Sequence, residues 1–207
     1  VLCGGRSGEH AVSVRSAESV IASLDPAKYD VQRIFITEAG QWQPHIISPE
    51  PGGNPGIDVV FPVLHGTFGE DGTLQGLLEL AGLPYVGAGV LASSVSMDKE
   101  VQKRLCQERG IPVVDYVVAH RGKIDVEAIC GRIPFPVFVK PANMGSSVGI
   151  SKAKNCAELQ AALDLAAQYD RKILVERGIV GRELECSVLG NQNPMAASHA
   201  SDHTDTG

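Results

Sequence analysis

The residues best placed to do chemistry are Lys140 and the small-residue turn that follows it. Val137 to Val139 is an apolar run that reads as a buried strand. It ends on Lys140, after which Pro141, Asn143 and Gly145 break the chain direction. Ser146 and Ser147 sit between Gly145 and Gly149, and a second short strand is expected through Val148 and Ile150. A lysine at a strand end beside such a turn suits a polyphosphate. Exposed backbone N–H groups form an anion nest, hydroxyls add donors, and the ammonium supplies a point charge. The order is strand–loop–strand, which excludes the usual P-loop, where Gly-Lys-Ser/Thr runs into a helix. The same spacing also fits a hairpin turn with a surface lysine.

Three further positions stand at element ends. Glu9 lies at the mouth of the turn Gly4-Gly5-Arg6-Ser7-Gly8-Glu9-His10, near a helix start. It fits an acidic residue favoured by the helix dipole, or a carboxylate that holds a substrate ammonium at the carboxyl edge of a sheet. His65 follows an apolar run and opens a glycine-rich turn, where it could act on a ligand or simply bond backbone. Lys99 falls in the first turn of a helix, where the dipole disfavours a cation, and this placement points to a ligand.

The elements that must position these residues follow from pattern. Val1 to Cys3 reads as a strand end. A helix follows, with Val14, Ala17, Ile21 and Leu24 on its apolar side, closed by Pro26. Val31 to Ile36 suggests the next strand, giving a βαβ opening and a parallel sheet. Ile57 to Leu64 reads as another strand, weakened by Pro62. Ser96 is a candidate N-cap for a helix carrying Met97, Val101 and Leu105 and stopped by Gly110. Val113 to Ala119 predicts a strand and Asp125 to Gly131 a short helix. Asn155 with Glu158 forms a capping box before the stripe Leu159, Ala162, Leu163, Ala166. Lys172 to Glu176 and Glu183 to Leu189 predict two more strands. Near Gly89 the style changes from alternating strands and helices to antiparallel-looking pairs, which suggests a second, α+β domain.

Composition bounds the function classes. The chain has 207 residues, 43% hydrophobic and 20% charged, as in ordinary globular proteins. A net charge of −6 gives no basic surface for nucleic acid or an anionic membrane. No apolar run is long enough to span a bilayer, and no signal peptide is visible. Cys3, Cys106, Cys130, Cys156 and Cys186 form no C-x-x-C pair. That argues against a disulfide scaffold or zinc cage and suits a reducing cytoplasm, with most of the thiols expected to be small buried groups.

Taken in order, the turn Gly4 to His10, then His65-Gly66-Thr67-Phe68-Gly69-Glu70-Asp71-Gly72-Thr73-Leu74-Gln75-Gly76, then Ser96-Met97-Asp98-Lys99, then Val139-Lys140-Pro141 with Gly145-Ser146-Ser147-Val148-Gly149 closely resemble the D-alanine–D-alanine ligases. These are cell-wall enzymes of the ATP-grasp superfamily, and the resemblance runs from Val1 to about Ala196. It implies an α/β fold in two domains. Residues 1–88 would be a doubly wound, Rossmann-like substrate domain, residues 89–197 the α+β first part of an ATP-grasp domain, and 198–207 an unmatched polar tail. The implied reaction joins two D-alanines at the expense of ATP, through an acyl phosphate, for peptidoglycan. The alternatives are a relative that takes D-lactate as second substrate and another ATP-grasp carboxylate–amine ligase.

By the same resemblance, Glu9 orients the first D-alanine's ammonium and His65 lies near its carboxylate. Lys99 and Lys140 contact phosphates; Ser146 is a catalytic loop serine that hydrogen-bonds with the glutamate and helps cover the site, and Ser147 beside it binds ATP. Glu176 and Ile179 fall on the adenine side, and Glu183 accepts from ribose hydroxyls. Mg²⁺ or Mn²⁺ is the expected metal, with its ligands beyond these residues, and a cytoplasmic homodimer is the expected assembly. Ala11 departs from the acidic residue usual after the Glu-His pair, with modest effects expected. The ending Ser198 to Gly207, with His199, Asp202, His203 and Asp205, is read as a tail rather than a metal site. The chain is therefore expected to be a fragment, inactive alone, that binds nucleotide weakly or dimerises.

Overall fold

The computed structural model describes residues 1–197 and the backbone of residues 201–202. The tail positions His199, His203 and Asp205, with the side chain of Asp202, lie outside the described residues. The chain forms two compact units, Val1–Arg177 and Gly178–Gly207.

The first unit begins with β1 (Leu2–Gly4), α1 (His10–Ser23), β2 (Ile34–Ile36) and β3 (Trp42–Gln43). β1 and β2 pair in parallel, as the βαβ reading requires, and β3 adds antiparallel to β2. The expected strand over Ile57 to Leu64 is reduced to isolated parallel bridges, Leu2 with Pro62 and Val60 with Tyr85. Pro62 has no N–H to donate, so the ladder to β1 runs through Phe61 O and Val63 N instead. α1 turns Ser13 and Ala17 inward, whereas Val14 is only half-buried. Ser13 tolerates burial because its hydroxyl accepts from Gly4 N at 2.8 Å and donates to Val63 O. Leu2, Ile34, Ile36, Ile47, Leu74 and Leu78 close the core beneath this sheet.

The chain continues through α2 (Thr73–Leu80), α3 (Val90–Met97) and α4 (Lys99–Glu108). Here the expected single helix opening at Ser96 is two helices. Asp98 caps α4, its Oδ1 accepting from Glu100 N and Val101 N. Met97, Val101 and Leu105 do not form a buried stripe; Leu105 is exposed, and α4 buries Glu100 instead. Gly110, at φ +70°, ends the helix as expected.

β4 (Tyr116–His120), α5 (Val126–Cys130), β5 (Val137–Pro141), β6 (Ser151–Ala153), α6 (Cys156–Tyr169) and β7 (Lys172–Arg177) complete the unit. Their sheet is antiparallel, in the order β4-β7-β5-β6. Val137, Val139, Ile173 and Val175 are fully buried against Leu159, Leu163 and Ala166 of α6. Each such side chain contributes about 1.5–3 kcal/mol of burial. Asn155 caps α6, its Oδ1 accepting from Glu158 N at 3.0 Å, but the reciprocal half of the expected capping box is displaced by one residue: Glu158 Oε2 accepts from Lys154 N at 2.9 Å. The strand after Lys140 starts later than expected. Val148 N and Ile150 N are used within the turn, on Gly145 O and Ser147 O.

Cys130 and Cys156 form a disulfide, contrary to the reading from spacing. They are 26 residues apart in sequence, but the end of α5 meets the start of α6 with a Cα–Cα distance of 6.0 Å. Of the free thiols only Cys3 is buried. Among the described residues, no helix is long and apolar enough to cross a membrane.

In the second unit, the predicted strand Glu183 to Leu189 is two short ones, β8 (Leu184–Glu185) and β9 (Val188–Leu189). β9 pairs with β10 (Met195–Ala196) and β8 with β11 (Ser201–Asp202), both antiparallel.

Candidate functional site

Three loops of the first unit converge. The loop after β1 turns at Gly4 and Gly5 (φ +89° and +101°), with Gly5 N donating to Ile36 O at 2.8 Å. Ser7 Oγ donates to His65 O at 2.6 Å and so ties the first loop to the histidine turn. Glu9 stands at the head of α1 but makes no side-chain cap bond. Its carboxylate instead points at the other two loops. A methyl placed on Gly66 would stand 2.6 Å from Glu9 Oε2, and one on Gly145 would stand 3.2 Å from it. The glycines at 66 and 145 therefore leave room for the carboxylate.

His65 has a polar neighbour near each ring nitrogen. Nδ1 lies 3.6 Å from Glu70 Oε1, and Nε2 is 3.4 Å from Ser16 Oγ. Glu70 Oε2 also accepts from Gly66 N at 2.9 Å. Glu70 was not singled out from sequence, although its place in the same glycine turn is a usable signal.

In the third loop Ser146 and Ser147 both occupy the left-handed region, at φ +46° and +60°, and both are exposed. Such backbone persists where neighbours fix it, and it clusters at ligand-handling loops. The loop's base is fixed by Asp170, whose Oδ2 accepts from Asn143 N at 2.8 Å and from Asn143 Nδ2 at 2.9 Å.

Beneath this loop lies an alternating array of charges. Lys99 Nζ donates to Met144 O at 2.5 Å and to Ala142 O at 3.4 Å. Burial lowers its pKa below the usual lysine value, and nearby Lys140 lowers it further; Glu176, Asp170 and Asp98 pull the other way. Lys140 Nζ is 2.5 Å from Glu176 Oε2, and Lys103 Nζ is 3.1 Å from Glu176 Oε1. Lys172 bridges Asp98 at 2.7 Å and Glu100 at 2.8 Å, so β7 is pinned to the head of α4. Sequence reasoning missed Lys103, Asp170 and Lys172; Lys103, four residues after Lys99, carried a helical-spacing signal.

Glu176 is buried, and burial by itself would raise its pKa. The hydrogen-bonded Lys140, with Lys103 behind it, outweighs that and holds the carboxyl below its ordinary 4.5. A depressed carboxyl stabilises the fold above that ordinary value, and the contribution is lost as pH falls through the folded value. Glu176→Gln is therefore expected to flatten the loss of stability as pH falls below the ordinary carboxyl value. Urea midpoints across that fall in pH check this, and equal slopes in both proteins would remove Glu176 as a source.

The sequence candidates thus fall into two places. Glu9, His65, Lys99, Lys140, Ser146, Ser147 and Glu176 belong to the first unit, and Ile179 and Glu183, both exposed, to the second. Among the described residues, no group of three or more His, Cys, Asp or Glu side chains could hold a metal ion. Both oxygens of Glu176 are occupied by lysines, so this carboxylate does not fit as a ligand to a divalent cation.

Residues 1–52 and 48–88 match the family described as D-ala D-ala ligase N-terminus, and residues 105–205 match D-ala D-ala ligase C-terminus. The D-alanine–D-alanine ligase of Solibacter usitatus is 66% identical over 197 residues. That alignment takes in 95% of this chain and 61% of the relative, so the chain spans about three fifths of that relative's length. The VanG D-Ala:D-Ser ligase from Enterococcus faecalis superposes with a TM-score of 0.88 at 34% identity, covering 97% of this chain and 68% of that one. The D-alanine-D-alanine ligase from Coxiella burnetii superposes with a TM-score of 0.89 at 38% identity, covering 98% of this chain and 69% of that one. On matched profiles, sequence identity and superposition alike, the chain belongs to the D-alanine–D-alanine ligase family.

Proposed function

We propose that this chain serves, within a protein of its relatives' length, to join two D-alanines in an ATP-dependent reaction that proceeds through an acyl phosphate, and that by itself it is inactive. The observation that carries this reading is the convergence of Glu9 on Gly66 and Gly145. It sets an ammonium-binding carboxylate against a loop built over Lys99 and Lys140. A carboxylate oxygen of the first D-alanine attacks the terminal phosphorus of ATP, and ADP leaves. The amine of the second D-alanine then attacks the acyl carbon, and phosphate leaves.

Glu9 accepts from the first D-alanine's ammonium, and His65 sits beside its carboxylate. Lys99 and Lys140 neutralise the phosphoryl oxygens as charge moves onto them. Ser146 and Ser147 donate from the loop, which also keeps water from the acyl phosphate. Glu176 and Ile179 serve the adenine side and Glu183 the ribose. Residues 1–88 act as the substrate half and 89–197 as the nucleotide half, a division supported by the two family profiles. A cytoplasmic homodimer belongs to the same reading and is checked by sedimentation and fractionation.

The test is D-alanine-dependent phosphate release together with detection of the dipeptide, expected in a full-length version and absent from the 207-residue chain alone. Glu9→Gln is expected to raise the D-alanine concentration needed for half-maximal rate about tenfold or more, because an amide cannot balance an ammonium. An unchanged D-alanine dependence and turnover would return Glu9 to a helix-start residue.

A further inference from the structure

We propose that Lys103 is the standing counter-ion of Glu176, and that it frees Lys140 to engage a polyphosphate. The inference rests on the reading above that Lys140 binds phosphate. In the structure Lys140 is already committed, with Nζ 2.5 Å from Glu176 Oε2. To commit its charge to a phosphate it must loosen its hold on a carboxylate that is buried. A buried carboxylate stripped of every cation is strongly disfavoured, so Lys140 alone would stay where it is.

Lys103 removes that obstacle. Its Nζ holds the other oxygen, Oε1, at 3.1 Å, and its side chain is 15% exposed. The ammonium also lies 5.6 Å from the centre of the Tyr116 ring, which anchors it on the far side. Lys99 and Lys103 are one helical turn apart on α4, so one element presents both. The charge balance makes the same point. Lys140 and Glu176 by themselves are a self-neutralised pair with nothing left for an anion. Lys103 makes the trio net positive, so one ammonium is available whichever lysine keeps the carboxylate. Sheet register makes this geometry: Phe138 pairs with Glu176, which leaves Lys140 diagonally opposite on the same face.

The test is calorimetric titration of the chain with inorganic triphosphate, which has no adenine or ribose to touch Glu176. K103Q is expected to weaken binding about tenfold, the scale of one charge-assisted hydrogen bond, because Lys140 is then held by Glu176. K103R, which keeps the cation, should retain binding, and E176Q, which releases Lys140, should tighten it. The deciding comparison is made without the carboxylate: K103Q/E176Q should bind as E176Q does. A similar loss in that background would mean that Lys103 acts on the anion directly or through its field, and would overturn the proposal. So would a K103Q protein with wild-type affinity. Should K103Q not fold, the E176Q pair still decides, with equal affinities upholding the proposal and a loss overturning it. K140Q separates the two readings. If K140Q binds triphosphate as well as the wild type, or the wild type binds none, the polyphosphate assignment of Lys140 falls first and takes this inference with it.

Discussion

In a full-length version, Lys140→Ala is expected to lower D-alanine-dependent phosphate release by about 10²–10³-fold, the loss typical when one preorganised donor to a developing charge is removed. The fold should survive. Lys140 is the penultimate residue of β5, its side chain is 26% exposed, and the backbone pairing of Phe138 with Glu176 and Val139 with Val175 does not depend on it. Glu176 keeps Lys103 at 3.1 Å, so the substitution does not strand a buried charge. A circular-dichroism melt close to that of the wild type, together with the lost turnover, is the expected pair of results. Turnover within a few-fold of wild type at saturating ATP would remove Lys140 from the phosphate site.

The largest effect on stability is expected at Gly4. It sits at φ +89° at the end of β1, a conformation that side chains rarely adopt. A Cβ there would collide with Ile36 O of the adjacent strand and stand 3.1 Å from both His10 Cε1 and Phe35 Cε2. Backbone is the obstacle, so no rotamer change relieves it. Ile36 O also accepts from Gly5 N, the bond that turns the chain toward Glu9. Gly4→Ala should therefore cost about 3 kcal/mol or more, combining backbone strain with overpacking. Urea denaturation measures the loss, and D-alanine dependence should worsen with it because the Glu9 loop shifts. A change within about 0.5 kcal/mol, the range of an ordinary surface substitution, would show that β1 and β2 can separate freely.

What the sequence determined by itself was what depends on near neighbours. The apolar run before Lys140 defined a strand with a lysine near its end, because a buried strand needs only a short unbroken apolar stretch. Asn155 and Glu158 marked the start of α6, because the cap bond between them closes within one turn. Gly110 marked the end of α4 for the same local reason. The ordered glycine turns were legible enough to indicate the family.

Local signals also misled where two of them competed. Ser96 and Asp98 are both good caps, and only the break between α3 and α4 made Asp98 the one used. Ile57 to Leu64 has the composition of a strand, but Pro62 left it with isolated bridges. Only the tertiary structure decided which charges meet. Glu176 finds Lys140 across 36 residues because β7 lies between β4 and β5 and the register sets the two side chains diagonally on one face. Lys172 meets Glu100 across 72 residues, and Cys130 meets Cys156 only because two helix ends abut. Spacing along the chain cannot report these pairs, since a sheet's strand order and register are set by burial of the whole core rather than by the residues that end up touching.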